Sequence, residues 1–435
     1  MAGIPALVRV TPSPSFAMPS EPALVVITHL LPGSTSCCRS SRFDAVEIIL
    51  HRIARAIIDS ARTHTLLQRP CPLATLCTKV AGAPARVINH LRRNFAKKQR
   101  MSIEMTLSTR KFGRTGWNVS EIGFGAWAIG GSWGSVAEDD AKAALNAALD
   151  NGVTFIDTAD VYGDGRSERI IRDVLRQRGG ERPIVATKLG RRLDPHVTSG
   201  YLNKRELEAF IDRSRSNLGV DTLDLVQLHC PPTEVYYRPE VFDAMDDFVA
   251  AGKIRYYGVS VEKVEEALKA IEYPNVVSVQ IIYNMFRQRP SDLFFRQAQK
   301  KDVAVIARVP LASGMLTGKM SADSTFASDD HRAFNRHGEA FDVGETFSGV
   351  PYDVALQAVD ELRGLVPVNA SMAQLALRWI LMEDAVSVII PGSKNAAQAA
   401  SNVSAASLAP LSDEVMQRVR DVYQHHIAPH VHQRW

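Results

Sequence analysis

Cysteine is scarce in this sequence, and its distribution is uneven. The 435 residues include five cysteines, and Cys230 is the only one after residue 100. A main part with so little cysteine indicates a reducing compartment and excludes a disulfide framework, so we expect a cytoplasmic protein. Long apolar runs are also missing, because no stretch approaches the roughly eighteen residues that a membrane span needs. The sequence therefore predicts no transmembrane helix and no membrane partner.

Neither sign of charge is in large excess over the whole chain, whose formal net charge is +4. The balance nevertheless changes along it. Residues 1–100 contain fourteen Lys or Arg and four Asp or Glu, whereas residues 101–435 contain thirty-seven and forty-three. The slightly acidic second part is a poor electrostatic match to nucleic acid, so we expect no nucleic-acid partner and a small-molecule ligand instead.

The first hundred residues show little periodic pattern apart from one basic amphipathic stretch at about 43–62. Three interpretations are open: an organelle presequence, a poorly ordered extension, or a start codon assigned too early, with Met101 or Met105 as the true first residue. The abrupt change in charge and cysteine content favours the third. We therefore divide the chain into a basic, disordered or wrongly assigned segment at 1–100 and one folded domain at 101–435.

From Gly123 onward, short apolar strands alternate with amphipathic helices, which predicts a parallel sheet in an α/β protein. Eight such units over about 280 residues fit a closed (β/α)₈ TIM barrel. A doubly wound sheet should open with a Gly-x-Gly-x-x-Gly turn, but Ala128 occupies the third position. The strand segments are EIGFGAW, VTFIDTA, PIVATKLG, LDLVQLH, RYYGVS, VVSVQIIY, VAVIARVP and VSVIIPGS.

Several features are expected around the eight repeats. A hairpin turning at Gly113 to Gly116 precedes the first strand, and a final helix follows the eighth. An insertion at about 315–367, after strand seven, is interpreted as a mobile flap over the active face. The terminal sequence HHIAPHVHQRW is interpreted as a solvated tail without a metal site. Helix ends are predicted from capping patterns at Ser135/Glu138, Asn203/Glu206 and Ser371/Gln374, and from Gly219 as a left-handed cap.

Polar residues that end barrel strands are the candidates for chemistry, because active sites in such barrels lie at the C-terminal ends of the strands. Asp157, Lys188 and His229 end strands two, three and four, and Tyr162 follows strand two. Taken singly, each is more readily a structural residue than a functional one. Together they suggest a mechanism: a buried Lys188 needs Asp157 as counter-charge, and its ammonium would lower the pKa of Tyr162. The phenol would then be a proton donor to a carbonyl oxygen. His229 would orient that oxygen or share the proton.

The segments FIDTADVYGDGRSE, VATKLG, LVQLHCPP, RVPLASGMLTGK and IIPGSKNAAQAASN resemble blocks of the aldo-keto reductase superfamily, in the right order over about residues 105–430. The resemblance implies that Asp157, Tyr162, Lys188 and His229 are the catalytic tetrad. It also implies reversible reduction of a small aldehyde or ketone by NADPH, with a hydride from nicotinamide C4 and a proton from Tyr162.

The cofactor positions of the family carry over unevenly. Val261 stands where an Asn commonly contacts the carboxamide, and Arg308 stands where an aromatic residue usually stacks on the nicotinamide. A guanidinium can also stack on a ring plane. Lys394 offers a cation for a 2′-phosphate, so NADP is favoured over NAD. By resemblance, the carboxamide is held by Ser260 and Gln280, the pyrophosphate by Pro310, Leu311, Gly314 and Lys319, the 2′-phosphate by Gly392, Ser393 and Lys394, the adenine side by Gln398 and Asn402, and the substrate by Trp127 and Trp133.

Two other functions remain open at this point. Some members of the superfamily are cofactor-binding regulatory subunits of membrane channels, and an intact tetrad does not exclude that role. A barrel lysine such as Lys188 is also the nucleophile of Schiff-base lyases, although a neighbouring Asp157 would keep it charged. Both a monomer and a homo-oligomer fit the sequence.

Overall fold

The computed structural model describes residues 107–131, 133–134 and 136–435. The expectations for residues 1–100, and Ser135 of the first capping pattern, lie outside the described residues. Within the described part, no helix combines the length and apolar character needed to cross a membrane.

Eight parallel strands, β3 to β10, form a barrel in which each strand pairs with the next in the chain. Bridges from Ile122 to Ile389 and from Gly125 to Gly392 join the first barrel strand to the last. This confirms the predicted (β/α)₈ architecture. The strands are β1 Thr109–Lys111, β2 Asn118–Ser120, β3 Phe124–Gly125, β4 Phe155–Asp157, β5 Ile184–Leu189, β6 Leu223–His229, β7 Ile254–Ser260, β8 Val276–Ile282, β9 Ala304–Arg308 and β10 Val386–Ile389.

Helices follow the barrel strands and cover their outer face. Strands such as β6 and β8 are buried along their whole length, and most of their residues are apolar. The α-helices are α1 Trp127–Gly130, α2 Glu138–Asp150, α3 Arg166–Gln177, α4 Thr198–Tyr201, α5 Lys204–Leu218, α6 Pro239–Ala250, α7 Val264–Ala270, α8 Phe294–Lys300, α9 His331–Phe334, α10 Tyr352–Arg363, α11 Met372–Leu381, α12 Ala396–Ser404, α13 Asp413–Val422 and α14 Ala428–Val431.

The hairpin of β1 and β2 turns through Gly113–Thr115, with Gly116 in the left-handed region, as predicted. Its Phe112 ring stacks on Phe155 of β4, with 5.2 Å between the ring centroids. Both rings belong to an apolar cluster that also includes side chains of β5, β6, β8, β9 and β10. The hairpin therefore closes one end of the barrel interior, and the functional groups are left at the other end.

The helix ends agree with the capping predictions in two cases and differ in two. The Ser371/Gln374 capping box and the left-handed Gly219 are confirmed. Asn203 is the N-cap of α5, but its amide contacts the Glu206 carboxylate and accepts no helix N–H. Helix α2 starts at Glu138 after Ala137, so Glu138 is the first helical residue, whereas the predicted pattern requires it to be the third. Three acidic residues in that first turn complement the helix dipole instead.

The insertion after β9 contains α9 and α10, and its centre is held by hydrogen bonds where the sequence suggests a mobile flap. The Asn335 side-chain oxygen accepts from the N–H groups of Ala340 and Phe341, and Asp330 caps α9. These bonds fix the path of the segment that reaches the C-terminal end of the barrel.

The predicted final helix is confirmed as α13, but the solvated tail after it is wrong. The chain continues helically to Val431, and Trp435 is 3% exposed. The indole Nε1 donates to Asp342 of the insertion at 2.9 Å, and the Arg287 guanidinium lies 4.2 Å from the ring centroid. A large apolar ring with two such partners is more stable buried than solvated.

Candidate active site

The parallel strands bring the four predicted residues together at one end of the barrel. Lys188 Nζ donates to Asp157 Oδ1 at 2.6 Å and lies 3.3 Å from the Tyr162 hydroxyl. The rings of Tyr162 and His229 meet edge to face, with centroids 5.9 Å apart. Lys188 and Asp157 are buried, at 1% and 3% exposure. The arrangement is one continuous contact chain from Asp157 through Lys188 to Tyr162, with His229 beside the phenol.

Two glutamines fix the other oxygen of Asp157. The amides of Gln280 and Gln227 donate to Asp157 Oδ2 at 2.7 and 3.2 Å. Gln280, predicted as a carboxamide contact, is thus bonded to the tetrad. Gln227 was not among the residues predicted from the sequence, although a polar residue inside the strand LDLVQLH was a usable signal. With Lys188, these donors satisfy both carboxylate oxygens, as a buried charge requires.

The pKa of Tyr162 is raised, where the sequence analysis expects it to be lowered. Burial is the largest cause, and Asp157 and Glu345 add to it, while Lys188 acts in the opposite direction. The expected effect of Lys188 is therefore present but smaller than the desolvation of the phenolate. Lys188 also contacts the nearer Asp157 carboxylate, which offsets its field at the phenol. At neutral pH the phenol keeps its proton.

The neighbouring ionisable groups have definite charge states as well. The pKa of Lys188 is raised, because Asp157 and Tyr162 outweigh the lowering caused by burial. The pKa of His229 is well below its ordinary value, first through burial and then through Arg191 and Lys188. The structure therefore contains a charged ammonium and a neutral imidazole. A neutral imidazole donates a hydrogen bond to an oxygen more readily than it gives up a proton.

A cavity of about 380 Å³ lies against Tyr162 and His229. Trp127 is in its wall and stacks on Tyr162, with 6.1 Å between the centroids. Trp133, predicted beside it, is not in the wall, because its ring packs behind Trp127 against His331. The lining residues are Trp127, Val161, Tyr162, Arg191, His196, His229, Cys230, Glu262, Ala340, Phe341, Asp342 and Glu345.

Four charged residues beside this cavity form a closed ring of ion pairs, which we call the charge ring. Arg191 pairs with Glu345 at 2.5 Å and with Glu262 at 3.0 Å. Arg308 pairs with Glu262 at 2.8 Å and with Glu345 at 3.5 Å. Although Glu262, Glu345 and Cys230 have the donor atoms of a metal site, the two guanidiniums already neutralise the carboxylates. We therefore assign no metal.

The charge ring engages Arg308, which the sequence suggested would stack on the nicotinamide ring. Its guanidinium donates to the Val261 carbonyl at 3.0 Å and lies behind the carboxylates, outside the cavity wall. The other three members of the charge ring were not among the residues predicted from the sequence. Arg191 and Glu262 follow β5 and β7 within two residues, so strand-end charge was a usable signal for both. Glu345 comes from the insertion, where no periodicity marks it.

A family model described as the aldo/keto reductase family matches residues 121–424. The chain belongs to the aldo/keto reductase family. The resemblance inferred from the sequence is thereby confirmed, and the chain is an oxidoreductase acting on carbonyl or alcohol groups.

Three relatives illustrate the match. The aldo-keto reductase YhdN of Bacillus subtilis is 31% identical, over 65% of this chain and 84% of its own. The aldo-keto reductase yakc [NADP(+)] of Schizosaccharomyces pombe is 28% identical, over 73% and 92%. Among solved structures, the glycerol dehydrogenase of Gluconobacter oxydans has a TM-score of 0.59 and 28% identity, covering 75% of this chain and 97% of that one.

In this aldo/keto reductase, the loop after β10 gathers the residues expected at the adenosine end of the cofactor. Asn402 donates to Ser393 Oγ at 3.0 Å and to the Gly392 carbonyl at 3.2 Å. The Gln398 side chain accepts from the Lys394 N–H at 2.8 Å. These contacts surround the N-terminus of α12, whose dipole favours anions.

The charges at this loop fit a phosphate group. Lys394 Nζ donates to the Trp133 carbonyl, and its pKa is lowered by burial and then by the nearby Arg332. Lys394, just before the N-terminus of α12, is a suitable donor for phosphate oxygens, whereas Arg332 is already paired with Asp330 at 2.6 Å. The loop after β9 approaches the same end of the barrel, with Pro310 and Leu311 leading to Gly314 in the left-handed region and Lys319 exposed.

Proposed function

We propose that this protein reduces a small aldehyde or ketone with NADPH, reversibly. The observation that carries the proposal is the contact chain from Asp157 through Lys188 to the Tyr162 hydroxyl, next to His229 at a cavity. When bound, NADPH supplies the hydride for the carbonyl carbon. The residues of this chain hold the carbonyl oxygen and supply the proton.

Tyr162 is the proposed proton donor. Its raised pKa keeps the phenol protonated at neutral pH, which is the form that reduction requires. The Lys188 ammonium at 3.3 Å stabilises the phenolate once the proton has left. Asp157 and its two glutamine partners hold Lys188 in place. Alcohol oxidation needs the phenolate at the start, so it should be favoured only at higher pH.

His229 is proposed to orient the substrate. Because its pKa is strongly lowered, the imidazole is neutral and can donate one N–H to the carbonyl oxygen. Trp127 and Phe341 provide apolar walls on the same cavity. The carbonyl would therefore be held between two donors, the Tyr162 hydroxyl and the His229 ring.

NADP is the proposed cofactor, with NAD as the alternative. The support is the positive charge of Lys394 just before the start of α12, which suits a 2′-phosphate that NAD lacks. A relative named for NADP(+) agrees with this choice. Gly392, Ser393, Gln398 and Asn402 surround the same loop and complete the proposed adenosine site.

The Schiff-base alternative is disfavoured by the charge of Lys188. A nucleophilic lysine must be neutral, whereas Asp157 at 2.6 Å raises the pKa of this one. A measurement of turnover distinguishes the reductase from the regulatory-subunit alternative, because such a subunit would bind NADPH without reducing any carbonyl.

The test measures NADPH oxidation by absorbance against a panel of aldehydes and ketones, with Tyr162→Phe beside the wild type. We expect the variant to bind NADPH and to lose about 10²-fold or more of turnover, because the proton donor is gone. Tyr237→Phe is the matched control, since that tyrosine is 61% exposed and outside the cavity. Wild-type turnover in Tyr162→Phe would show that another group donates the proton.

A further inference from the structure

The charge ring places one residue of the insertion at the chemical end of the site. Glu345 is in the cavity wall and 5% exposed, and it reaches Arg191 of the loop after β5 at 2.5 Å and Arg308 of β9 at 3.5 Å. Its carboxylate lines the same cavity as the Tyr162 phenol, whose pKa its negative charge raises further after burial. The insertion therefore contributes directly to the electrostatics at the proposed proton donor.

The charge ring is buried, so a change in its net charge acts strongly on neighbouring charged groups. Two guanidiniums face two carboxylates, and Arg287 and Asp342 add one charge of each sign beside them. The two carboxyl groups of the ring, Glu345 and Glu262, have pKa values shifted in opposite directions. Arg191 and Arg308 hold the pKa of Glu345 below its ordinary value against burial, whereas burial and the charge of Glu345 raise the pKa of Glu262. At neutral pH, Glu345 is thus the fully ionised carboxylate of the ring.

The nicotinamide must lie in this same cavity if the proposed function holds. A hydride can reach only a carbonyl carbon in contact with the donor ring, and the carbonyl oxygen is proposed to lie at Tyr162 and His229. The lining of that cavity includes Glu262 and Glu345, so the nicotinamide would bind near their carboxylates. The oxidised nicotinamide is a cation and the reduced one is neutral, so a nearby charge acts on the two forms differently.

We propose that Glu345 sets the charge at the nicotinamide end of the site and thereby the relative affinity for the oxidised and reduced cofactor. With Glu345 ionised, its carboxylate offsets positive charge of Arg191 and Arg308, and the cationic form is accepted. Without it, the ring has an excess positive charge that repels the oxidised nicotinamide and leaves the reduced one almost unaffected. The proposal rests on the proposed function, because it requires a nicotinamide in this cavity.

The experiment determines the dissociation constants of NADPH and NADP⁺ separately by quenching of tryptophan fluorescence, in the full-length protein. In Glu345→Gln we expect the ratio of the NADP⁺ constant to the NADPH constant to rise roughly tenfold. Glu345→Asp keeps the charge and should restore most of the wild-type ratio. Glu339→Gln, at an exposed position of the same insertion, is the matched control and should leave the ratio unchanged.

The outcomes separate this proposal from the underlying one. If Glu345→Gln weakens both forms equally, the residue has only a structural role and the proposal is wrong. If Glu345→Gln does not fold, Glu262→Gln should shift the ratio in the same direction when it is compared with the wild type at alkaline pH, where the raised pKa of the wild-type Glu262 is exceeded. An unchanged ratio in that variant also contradicts the proposal. If the wild type binds neither NADPH nor NADP⁺, the proposed function itself fails.

Discussion

Asp160 provides a sharp test of the electrostatics around the loop that presents Tyr162. It is fully buried, and neither carboxylate oxygen has a well-aligned hydrogen bond to a described residue, although the Val161 N–H lies close enough to lower its pKa somewhat. Burial and the neighbouring Glu168 raise the pKa of Asp160 to about 7. A carboxyl group in these surroundings is destabilised when it is ionised.

The size of the effect follows from linkage between protonation and folding. The folded-state pKa of about 7 lies above the ordinary value of 3.8, so between these limits the folded protein holds a proton that the unfolded chain has released. The contribution of Asp160 to the free energy of unfolding is therefore full below pH 3.8, falls as the pH rises, and is lost above pH 7. About three pKa units correspond to about 4 kcal/mol.

Asp160→Asn removes the charge and keeps the shape. We expect it to match the wild type in stability near pH 4 and to exceed it by up to about 4 kcal/mol at pH 8. The assay is urea unfolding followed by circular dichroism at several pH values. The difference between variant and wild type isolates Asp160 from other titrating groups. Asp164→Asn, in the same loop but exposed and paired with Arg192 and Arg213, is the control. A pH-independent difference for Asp160→Asn would refute the reasoning.

Two further predictions concern the C-terminus and the cofactor loop. Trp435→Ala should lower the free energy of unfolding by about 3 kcal/mol, because a buried ring is lost. The control His430→Ala, at an exposed position, should leave the free energy of unfolding unchanged. Equal urea midpoints for the two variants would contradict the packing role of Trp435. Lys394→Met should weaken NADPH binding about tenfold and NADH binding much less, since only NADPH has the 2′-phosphate. Fluorescence titration measures both affinities, with Lys300→Met at an exposed position as the control. Equal losses of affinity for NADPH and NADH in Lys394→Met would show that the 2′-phosphate binds elsewhere.

The barrel and the proximity of the four candidate residues were predictable because both depend on local sequence and on one simple rule of topology. Apolar strands that alternate with amphipathic helices must pair in parallel, and the ends of parallel strands meet at one rim. Asp157 and His229 end β4 and β6, and Lys188 is the penultimate residue of β5. Their proximity therefore followed from strand position alone. The hairpin was predictable for the same reason, since its turn glycines are adjacent in sequence.

The charge ring and the buried Trp435 were not predictable in this way. Glu345 and Arg191 are 154 residues apart, and their 2.5 Å contact depends on the path of the insertion across the barrel. Trp435 ends a segment rich in histidine and polar residues, so its composition suggested solvent, and only the insertion provides the Asp342 carboxylate it binds. Contacts between an insertion and a distant strand leave no periodic trace in either segment.

The pKa of Tyr162 shows the same division within a single residue. From the sequence alone came the residue, its loop and the lysine that acts on it. The sign of the shift came from the tertiary structure, because it is the difference between two opposing effects, desolvation and the field of Lys188. Strand order determines which groups meet, whereas burial and exact distances determine which effect is larger. Both of these are properties of the packed barrel and its insertion.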